Sequence, residues 1–316
     1  MTPSQGDLFG EVRYNVPERL RDTMRIGTCS WKYDSWKGLV YDRGRTYLAD
    51  DYLVDYSRHF NTVEVDQWFW SLFPGEIGMP KPEVVSAYAV SVPGDFVFTV
   101  KAPNSITLTH FYAKQPARFR EWKNRPNEHF LSLDLTRRFL DTLEPIRSRL
   151  GPVMFQFEYL NSKKMASRDM FYDRLDGFLS QLPAGYDYAV ETRNPNYVRP
   201  EFFDVLRTHN AGAVLLDGYH MPPLRKVARH GVYTAPFLVV RLHGPDRPGI
   251  ERKTGKVWNR IVQPRDRALE EAADIVAEAA QKNIRTYVNV NNHYEGSAPL
   301  TIERFLEALR REKPEE

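Results

Sequence analysis

Apolar runs of strand length recur along the chain, and most of them are followed by a segment with helical spacing. The runs are rich in β-branched and aromatic residues, and several are nearly continuous, as strands covered on both faces should be. Eight strands are predicted, over residues 25–30, 61–66, 95–101, 151–157, 186–191, 212–217, 237–243 and 284–291. Apolar residues three and four positions apart predict helices over residues 47–60, 129–150, 168–182, 265–282 and 301–311.

The alternation of strands and helices predicts a parallel sheet. Eight such units, without the glycine fingerprint of dinucleotide-binding proteins after the first strand, favour a closed (β/α)₈ TIM barrel over an open sheet. We expect a flexible N-terminal arm over residues 1–24, one barrel domain over 25–312 with long loops on its C-terminal face, and a frayed tail over 313–316.

Composition indicates in which cellular compartment the protein is expected. The formal net charge is only +3, and no apolar run approaches the roughly 18 residues that a membrane span needs. The N-terminal residues lack the basic start and apolar core of a signal peptide. The single cysteine, Cys29, excludes an internal disulfide and suits a reducing compartment. A cytoplasmic protein without membrane contact is therefore predicted.

Polar side chains collect at the ends of the predicted strands, where barrels of this fold carry their functional groups. Seven of the eight strands end in an ionisable or amide group. The set comprises Glu64, Asp66, Lys101, Gln156, Glu191, Arg193, Asp217, Arg241, His243, Asn289 and Asn291. Charged side chains are rarely enclosed without partners, so charges of both signs in one barrel mouth predict a ligand site. A salt-bridge network that only stabilises the barrel is the alternative.

Seven segments in order along the chain resemble the signature blocks of the YecE-like proteins, which are grouped as domain of unknown function 72. They read IGTCSWKYDSW, FNTVEVDQWFW, FTVKAPNSITLTH, LGPVMFQF, AVETRNPNY, VVRLHG and YVNVNNHYEG. The resemblance covers residues 25–311 and implies a (β/α)₈ fold, but it implies no established reaction. Cys29-Ser30-Trp31 stands where the family usually has glycine-tryptophan, and Asp66 replaces the usual asparagine, which indicates a pocket particular to a subfamily.

Metal-dependent hydrolysis is one reaction that the strand ends suggest, as in the xylose-isomerase-like and endonuclease IV-like barrels that the family resembles in outline. The ligands would be Glu64, Glu191, Asp217 and His243. Against a metal, Lys101, Arg193 and Arg241 lie at the same rim and would neutralise these carboxylates, and no HxH or HExxH spacing occurs. No metal or other cofactor is expected.

The favoured interpretation is metal-free acid–base or electrostatic catalysis on a phosphate-bearing or glycosidic substrate, by a hydrolase or a lyase. Glu64 and Glu191 would divide the acid and base roles, and Lys101 would act as a Schiff-base nucleophile or an oxyanion clamp. The predicted catalytic residues are Glu64, Lys101, Glu191 and His243. The predicted substrate-binding residues are Trp31, Asp66, Gln156, Arg193, Asp217, Arg241, Asn289, Asn291 and Asn292, of which the two arginines would grip a phosphate. Cys29 is interpreted as a small buried thiol rather than a nucleophile.

Two basic loops on the presumed active face suggest a nucleic-acid partner, with or without catalysis. Residues 110–129 contain Lys114, Arg118, Arg120, Lys123 and Arg125, and residues 244–267 contain Arg247, Arg252, Lys253, Lys256, Arg260, Arg265 and Arg267. The interleaved aromatic residues Phe119, Trp122 and Trp258 would stack on a single strand or a flipped base. A solvated surface is the commoner origin of one such loop.

Four tryptophans follow the first two strands: Trp31, Trp36, Trp68 and Trp70. They could grip a ring by stacking, or they could anchor the large loops in which they lie. Trp31 is the preferred pocket member, because it is nearest the end of its strand.

The predicted arm contains Gln5-Gly6-Asp7-Leu8-Phe9, which resembles the peptide that bacterial DNA-metabolism proteins use to dock on the sliding clamp. A flexible arm would insert two apolar anchors into a pocket, and glutamine would add hydrogen bonds. Alternatively, Leu8 and Phe9 cover the bottom of the barrel. The best overall interpretation is a barrel enzyme acting on a phosphate-bearing substrate, and the runner-up is a non-catalytic nucleic-acid-binding or clamp-associated module.

A synthetic peptide of residues 1–14 should bind a bacterial sliding clamp in the micromolar range, or about −8 kcal/mol, because a short flexible ligand must be ordered on binding. Calorimetry on the peptide with Leu8→Ala and Phe9→Ala should show most of that affinity lost. The same double change in the full chain should leave its melting temperature unmoved. Destabilisation of the barrel would instead identify the two residues as a lid.

Overall fold

The computed structural model describes residues 16–112 and 117–311, and eight parallel strands in it close into a barrel. In barrel order these are β1 (Met24–Cys29), β2 (Thr62–Val65), β5 (Val97–Lys101), β6 (Leu150–Gln156), β7 (Tyr188–Glu191), β8 (Gly212–Gly218), β9 (Phe237–Gly244) and β10 (Arg285–Val290). A short antiparallel hairpin, β3 (Leu72–Phe73) and β4 (Glu76–Ile77), follows β2. The predicted (β/α)₈ barrel is confirmed, and each predicted strand end lies within two residues of the observed one.

Helices lie between the barrel strands along the chain. They are α1 (Asp51–Tyr56), α2 (Pro82–Val90), α3 (Asn104–Thr107), α4 (Leu133–Thr142), α5 (Arg168–Leu179), α6 (Pro200–Thr208), α7 (Leu224–Ala228), α8 (Arg247–Thr254), α9 (Asp266–Gln281) and α10 (Ala298–Arg311). The helix predicted over 129–150 is interrupted, because Pro145 cannot donate a helical hydrogen bond, and a 3₁₀ helix (Glu144–Arg149) follows α4. The helices α2, α3, α6, α7 and α8 lie outside the predicted helical segments. Each has at most nine residues, and so few residues give a weak apolar periodicity.

Side chains alternate along β9, and this alternation separates the apolar core from the polar end of the barrel. Phe237 and Val239 belong to an apolar layer inside the barrel, whereas Leu238 and Val240 belong to the core between strands and helices. Arg241 continues the inward face two residues further along. The barrel is therefore filled by apolar side chains at one end and by charged ones at the other.

The first two strands approach each other closely at Gly27. A Cβ atom there would lie 1.9 Å from the carbonyl oxygen of Thr62, so only glycine fits beside the neighbouring backbone. The parallel register that follows pairs Gly27 with Thr62 and Cys29 with Glu64. The close approach thus brings Cys29 and Glu64 side by side at the C-terminal end of the barrel.

The described residues that precede β1 pack against the barrel. A 3₁₀ helix (Glu18–Leu20) precedes β1, and Leu20 is only 1% exposed. Met24 is the first residue of β1 and pairs with Thr286 of β10. Leu20 and Met24 both belong to the hydrophobic core.

Three predictions fall outside the described residues. They concern the docking motif with Gln5, Leu8 and Phe9, the loop cation Lys114, and the tail over 313–316. Within 16–112 and 117–311, no helix has the length and apolar character needed to cross a membrane.

Candidate functional site

The inward faces of the strands converge on one polar cluster at the C-terminal end of the barrel. Side chains alternate between the two faces of each strand. The inward-facing residues nearest the strand ends are therefore Glu64 on β2, Lys101 on β5, Gln156 on β6 and Glu191 on β7. These four residues and Arg241 of β9 are at most 8% exposed. Five of the predicted site residues therefore meet at one place, as the strand-end pattern indicates.

Arg241 is the centre of this cluster and is 1% exposed. Its Nε donates to Glu64 Oε2 at 2.7 Å, and its Nη2 donates to Glu64 Oε1 at 2.6 Å, a bidentate pair. Its Nη1 donates both to Glu191 and to Gln156 Oε1, the latter at 3.1 Å. One guanidinium thus occupies the two carboxylates that the sequence suggested as an acid and base pair. Together with Arg193, this pairing holds the pKa of Glu191 below its usual range in spite of burial, so this carboxylate is charged at neutral pH.

A second chain of contacts runs from Glu191 toward the opposite wall. Arg193 Nε donates to Glu191 Oε1 at 2.9 Å, and the Arg193 guanidinium lies 4.3 Å from the ring centroid of Tyr219. The Tyr219 hydroxyl is 3.3 Å from Nδ1 of His243, whose Nε2 is 3.5 Å from Cys29 Sγ. Burial and the nearby cations lower the pKa of His243 well below its usual range, so its ring is neutral. Burial raises the pKa of the Cys29 thiol, which keeps it protonated.

Lys101 and Asp66 are the charged groups that this network leaves without a direct partner. Within the described part of the chain, neither side chain forms an ion pair with an opposite charge. Lys101 Nζ instead lies 3.6 Å from the ring centroid of Phe69. Burial and the charge of Arg241 lower the pKa of Lys101 to about 8, while burial and Glu64 raise the pKa of Asp66. Asp66 can therefore take up a proton more readily than Glu191, whose pKa is lowered.

A cavity of about 610 Å³ opens above the cluster, a size that suits a small-molecule ligand. Its floor includes Glu64, Asp66, Lys101, Gln156, Arg193, Arg241, His243 and Asn291. Two aromatic side chains in its lining face solvent, Trp70 at 61% exposure and Tyr159 at 59%. Exposed aromatic side chains in the lining of a cavity with a charged floor offer surfaces on which a ring can bind.

A larger and more open groove of about 1020 Å³ lies beside the barrel mouth, between α7 and α9. It has none of the buried ionisable cluster, and its charged lining residues are mostly exposed. We therefore place the functional site in the smaller cavity, where the perturbed ionisable groups lie.

The structure places Asp217 outside the predicted site. Val214 belongs to the apolar layer inside the barrel, so Asp217, three residues later on β8, points to the other face. Arg265 donates to Asp217 Oδ1 at 2.9 Å, and the Tyr294 hydroxyl donates to Oδ2 at 2.7 Å. Asp217 thus lines the neighbouring groove rather than the cavity.

Two of the predicted asparagines, Asn289 and Asn292, form hydrogen bonds within the protein and do not line the cavity. Asn289 is inward but lies beneath the cavity, where its Nδ2 donates to Thr99 Oγ1 at 3.1 Å. The side chain of Asn292 points away from the barrel interior, opposite to that of Asn291. Its Oδ1 accepts hydrogen bonds from Trp36 Nε1 at 3.2 Å and from Ala298 N at 2.9 Å. Neither lines the cavity, whereas Asn291 does.

Trp31, predicted as the pocket tryptophan, is turned into the core. It is 2% exposed, and its ring meets Tyr88 edge-on at 5.2 Å between centroids. Ser30 before it has φ +66°, which redirects the chain after β1. Trp70, in the loop between β2 and β3, lines the cavity instead.

Left-handed backbone residues cluster around this cavity. Tyr219 and His220 follow β8 with φ +49° and +66°, and both line the cavity. Two consecutive non-glycine residues in this region are unusual, and such conformations are concentrated at functional sites. Tyr219 was not predicted, although an aromatic residue two positions past a strand end was a usable signal.

The basic loops differ in what they offer a ligand. Arg118, Arg120, Lys123 and Arg125 are exposed, and Trp122 beside them is partly exposed against Phe111. In the other loop Trp258 is only 7% exposed and packs on His293, so it cannot stack on a base as predicted. The apolar ring is needed to anchor the loop after α8.

One group of three candidate metal ligands occurs among the described residues: Cys29, Glu64 and His243, whose ligand atoms lie within 4.8 Å of one another. It is not the predicted set, because Glu191 is held by two arginines and Asp217 lies in the groove. Arg241 already occupies both oxygens of Glu64, and its charge opposes a cation at this position. The donor set is therefore a poor fit for a metal.

Fold and site define a (β/α)₈ barrel protein with a charged cavity at the C-terminal ends of its strands. The chain belongs to the family described as protein of unknown function DUF72, which matches residues 25–316. It is 28% identical over 252 residues to the UPF0759 protein YecE of Escherichia coli (strain K12), covering 74% of this chain and 78% of that protein.

Two solved structures of DUF72 family proteins are similar in fold. The protein TM1631 from Thermotoga maritima has a TM-score of 0.63 and 23% identity, covering 92% of this chain and 100% of that one. The protein EF0366 from Enterococcus faecalis has a TM-score of 0.57 and 19% identity, covering 95% of this chain and 100% of that one. The predicted family is confirmed.

Replacing Arg241 by methionine should lower the free energy of unfolding by about 3–5 kcal/mol, because it leaves two buried carboxylates without their shared cation. Urea denaturation should show that Arg247→Met, at an exposed pair with Glu251, changes stability by less than about 1 kcal/mol. Adding Glu64→Gln and Glu191→Gln to Arg241→Met should recover part of the loss. Equal costs for the two arginine changes would show that the cluster does not support the fold.

Proposed function

We propose that the protein is an enzyme that binds a phosphate-bearing substrate in the barrel cavity and acts on it without a metal, by acid–base and electrostatic catalysis. The observation that carries this proposal is the division of charges in the cavity. Arg241 neutralises Glu64 and Glu191 at the base of the cavity, while Lys101 and Arg193 line the open space.

The two cations differ in what they supply. In the described residues, Arg193 has its Nε on Glu191 and makes no hydrogen bond through its terminal amino groups. The Tyr219 ring beneath it restricts the guanidinium, so a phosphate can be gripped with little loss of side-chain freedom. Lys101 adds a point charge or a reactive amine on the β5 side of the cavity.

Asp66 is better suited than the glutamates to transfer a proton. It lines the cavity, forms no ion pair with a described residue, and has a raised pKa, whereas Glu64 and Glu191 are fixed by guanidinium groups. We therefore assign the glutamates a positioning role through Arg241 and give the proton transfer to Asp66. His243, neutral and bonded to Tyr219, would assist the tyrosine hydroxyl at the other wall.

Inorganic phosphate and adenosine monophosphate should both bind to the protein, the nucleotide more tightly because Trp70 and Tyr159 can contact its ring. Calorimetry should show at least tenfold weaker binding for Lys101→Met and for Arg193→Met, since each removes a charged hydrogen-bond donor worth about 1.5–3 kcal/mol. Lys226→Met, in the neighbouring groove, is the matched control and should bind normally. Loss of binding in the control alone would move the anion site to the groove.

A non-catalytic nucleic-acid-binding module is the second candidate, and the exposed pair Trp70 and Tyr159 favours it specifically. Tyr112, at the start of the basic loop over 110–129, lines the same cavity and lies 5.4 Å from Trp70 between ring centroids. A single strand could therefore cross the exposed loop cations and place a base at the cavity. Docking on a sliding clamp through Gln5, Leu8 and Phe9 would bring the protein to such a strand.

If this second function holds, affinity for a short single-stranded DNA should fall steeply with salt, because each neutralised phosphate releases counterions. Reversing the charge at Arg118, Arg120, Lys123 and Arg125 together should reduce both affinity and salt slope in fluorescence anisotropy. Trp70→Ala should weaken binding without changing the slope, as expected for a stacking contact. Absence of binding at low salt would remove this candidate and leave the small-molecule enzyme.

A further inference from the structure

We propose that Lys101 is a catalytic residue whose Nζ condenses with the carbonyl carbon of an aldehyde or ketone substrate, forming an imine in the barrel cavity. This inference rests on the proposed function only in placing the reaction in that cavity. It names a narrower substrate class, a carbonyl compound that also carries an anionic group.

The position of Lys101 is that of a nucleophile rather than of a structural cation. It is the last residue of β5 and is 8% exposed, yet it lines the cavity. None of the described carboxylates pairs with it, and its amine lies over the ring of Phe69 at 3.6 Å from the centroid. A buried lysine normally neutralises its charge with a carboxylate, so this arrangement leaves the amine available to a ligand.

The charges around Lys101 favour the neutral amine. Arg241 on β9 disfavours the ammonium form, as does burial, whereas Glu64 and Asp66 at the end of β2 and Glu191 on β7 favour it. The first two effects prevail and lower the pKa to about 8. Roughly a tenth of the amine is then neutral at pH 7, on the order of a hundredfold more than for a lysine of ordinary pKa.

The same setting argues against a purely electrostatic role. A lysine that clamps an anion works best when it is fully charged, and nearby carboxylates would keep it so. Here Arg241 engages both glutamates and adds a positive charge beside the amine. Desolvation and a neighbouring cation are the two means by which proteins activate lysine for attack on carbonyl groups.

The step balances with groups already in the cavity. The neutral amine forms a bond from Nζ to the carbonyl carbon, and the carbonyl oxygen is protonated to give a carbinolamine. The nitrogen then loses one proton, the hydroxyl group takes up a second proton and leaves as water, and a protonated carbon–nitrogen double bond remains. Asp66, with its raised pKa, can supply and recover the protons, and Arg193 can hold the anionic group of the substrate.

Reductive trapping tests this assignment in the unaltered protein. The protein is mixed at pH 7 with less than one equivalent of pyridoxal 5′-phosphate, or separately with propanal, then reduced with borohydride and analysed by peptide mass spectrometry. Lys101 should be labelled by both aldehydes, on the order of a hundredfold faster than exposed lysines such as Lys226. The Lys101→Arg variant keeps a charge and should lose this label, with an unchanged circular dichroism spectrum.

Competition with phosphate separates this inference from the phosphate proposal. Excess inorganic phosphate, which is proposed to contact both Lys101 and Arg193, should slow labelling of Lys101 by both aldehydes. If excess phosphate changes the rate of Lys101 labelling by neither aldehyde, the result supports the imine proposal and contradicts the proposed phosphate site. Labelling spread over exposed lysines, with Lys101 unmodified, overturns the imine proposal even if phosphate binds as proposed.

Discussion

The guanidinium group of Arg241 holds the functional end of this barrel together. Five side chains from five strands converge at this end of the barrel, and the charged groups of Glu64, Glu191 and Arg241 among them are at most 1% exposed. Two buried carboxylates without a shared cation would cost several kcal/mol, and an isolated buried arginine would be no better. The bidentate pair with Glu64 and the bond to Glu191 remove that cost, and they also fix the directions of both glutamates.

This pairing decides which groups remain for chemistry. Had Lys101 been paired with Glu64, its amine would be fully charged and the floor would be a closed structural network. Because Arg241 takes both carboxylates, Lys101 and Asp66 are left facing the cavity with perturbed pKa values of opposite direction. The proposed catalytic groups are thus Lys101 and Asp66, which the salt-bridge network leaves unpaired among the described residues. The network itself holds the neighbouring side chains in place.

The surroundings of the cavity show the same division between support and function. Trp31, Trp258 and Asn292 are buried and hold loops in place, whereas Trp70 and Tyr159 are exposed at the rim. The strained pair Tyr219 and His220 lies on the cavity wall, where the phenol touches both Arg193 and His243. Tryptophan side chains therefore serve both as buried anchors of loops and as exposed surfaces at the cavity, and only their orientation distinguishes the two roles.

The sequence by itself determined the barrel and the polar strand ends. Eight apolar runs of strand length must be covered on both faces, and a period of two residues brings Glu64, Lys101, Gln156, Glu191 and Arg241 to one end. It left open which face of each strand is turned inward: Asp217 lies on the outward face of β8, and Ser30 redirects Trp31 into the core. It also could not determine which cation meets which carboxylate, because that depends on strands 177 positions apart in the chain, as for Glu64 and Arg241. Local patterns record periodicity, whereas ion pairing and the resulting pKa of Lys101 depend on distances that exist only once the barrel has closed.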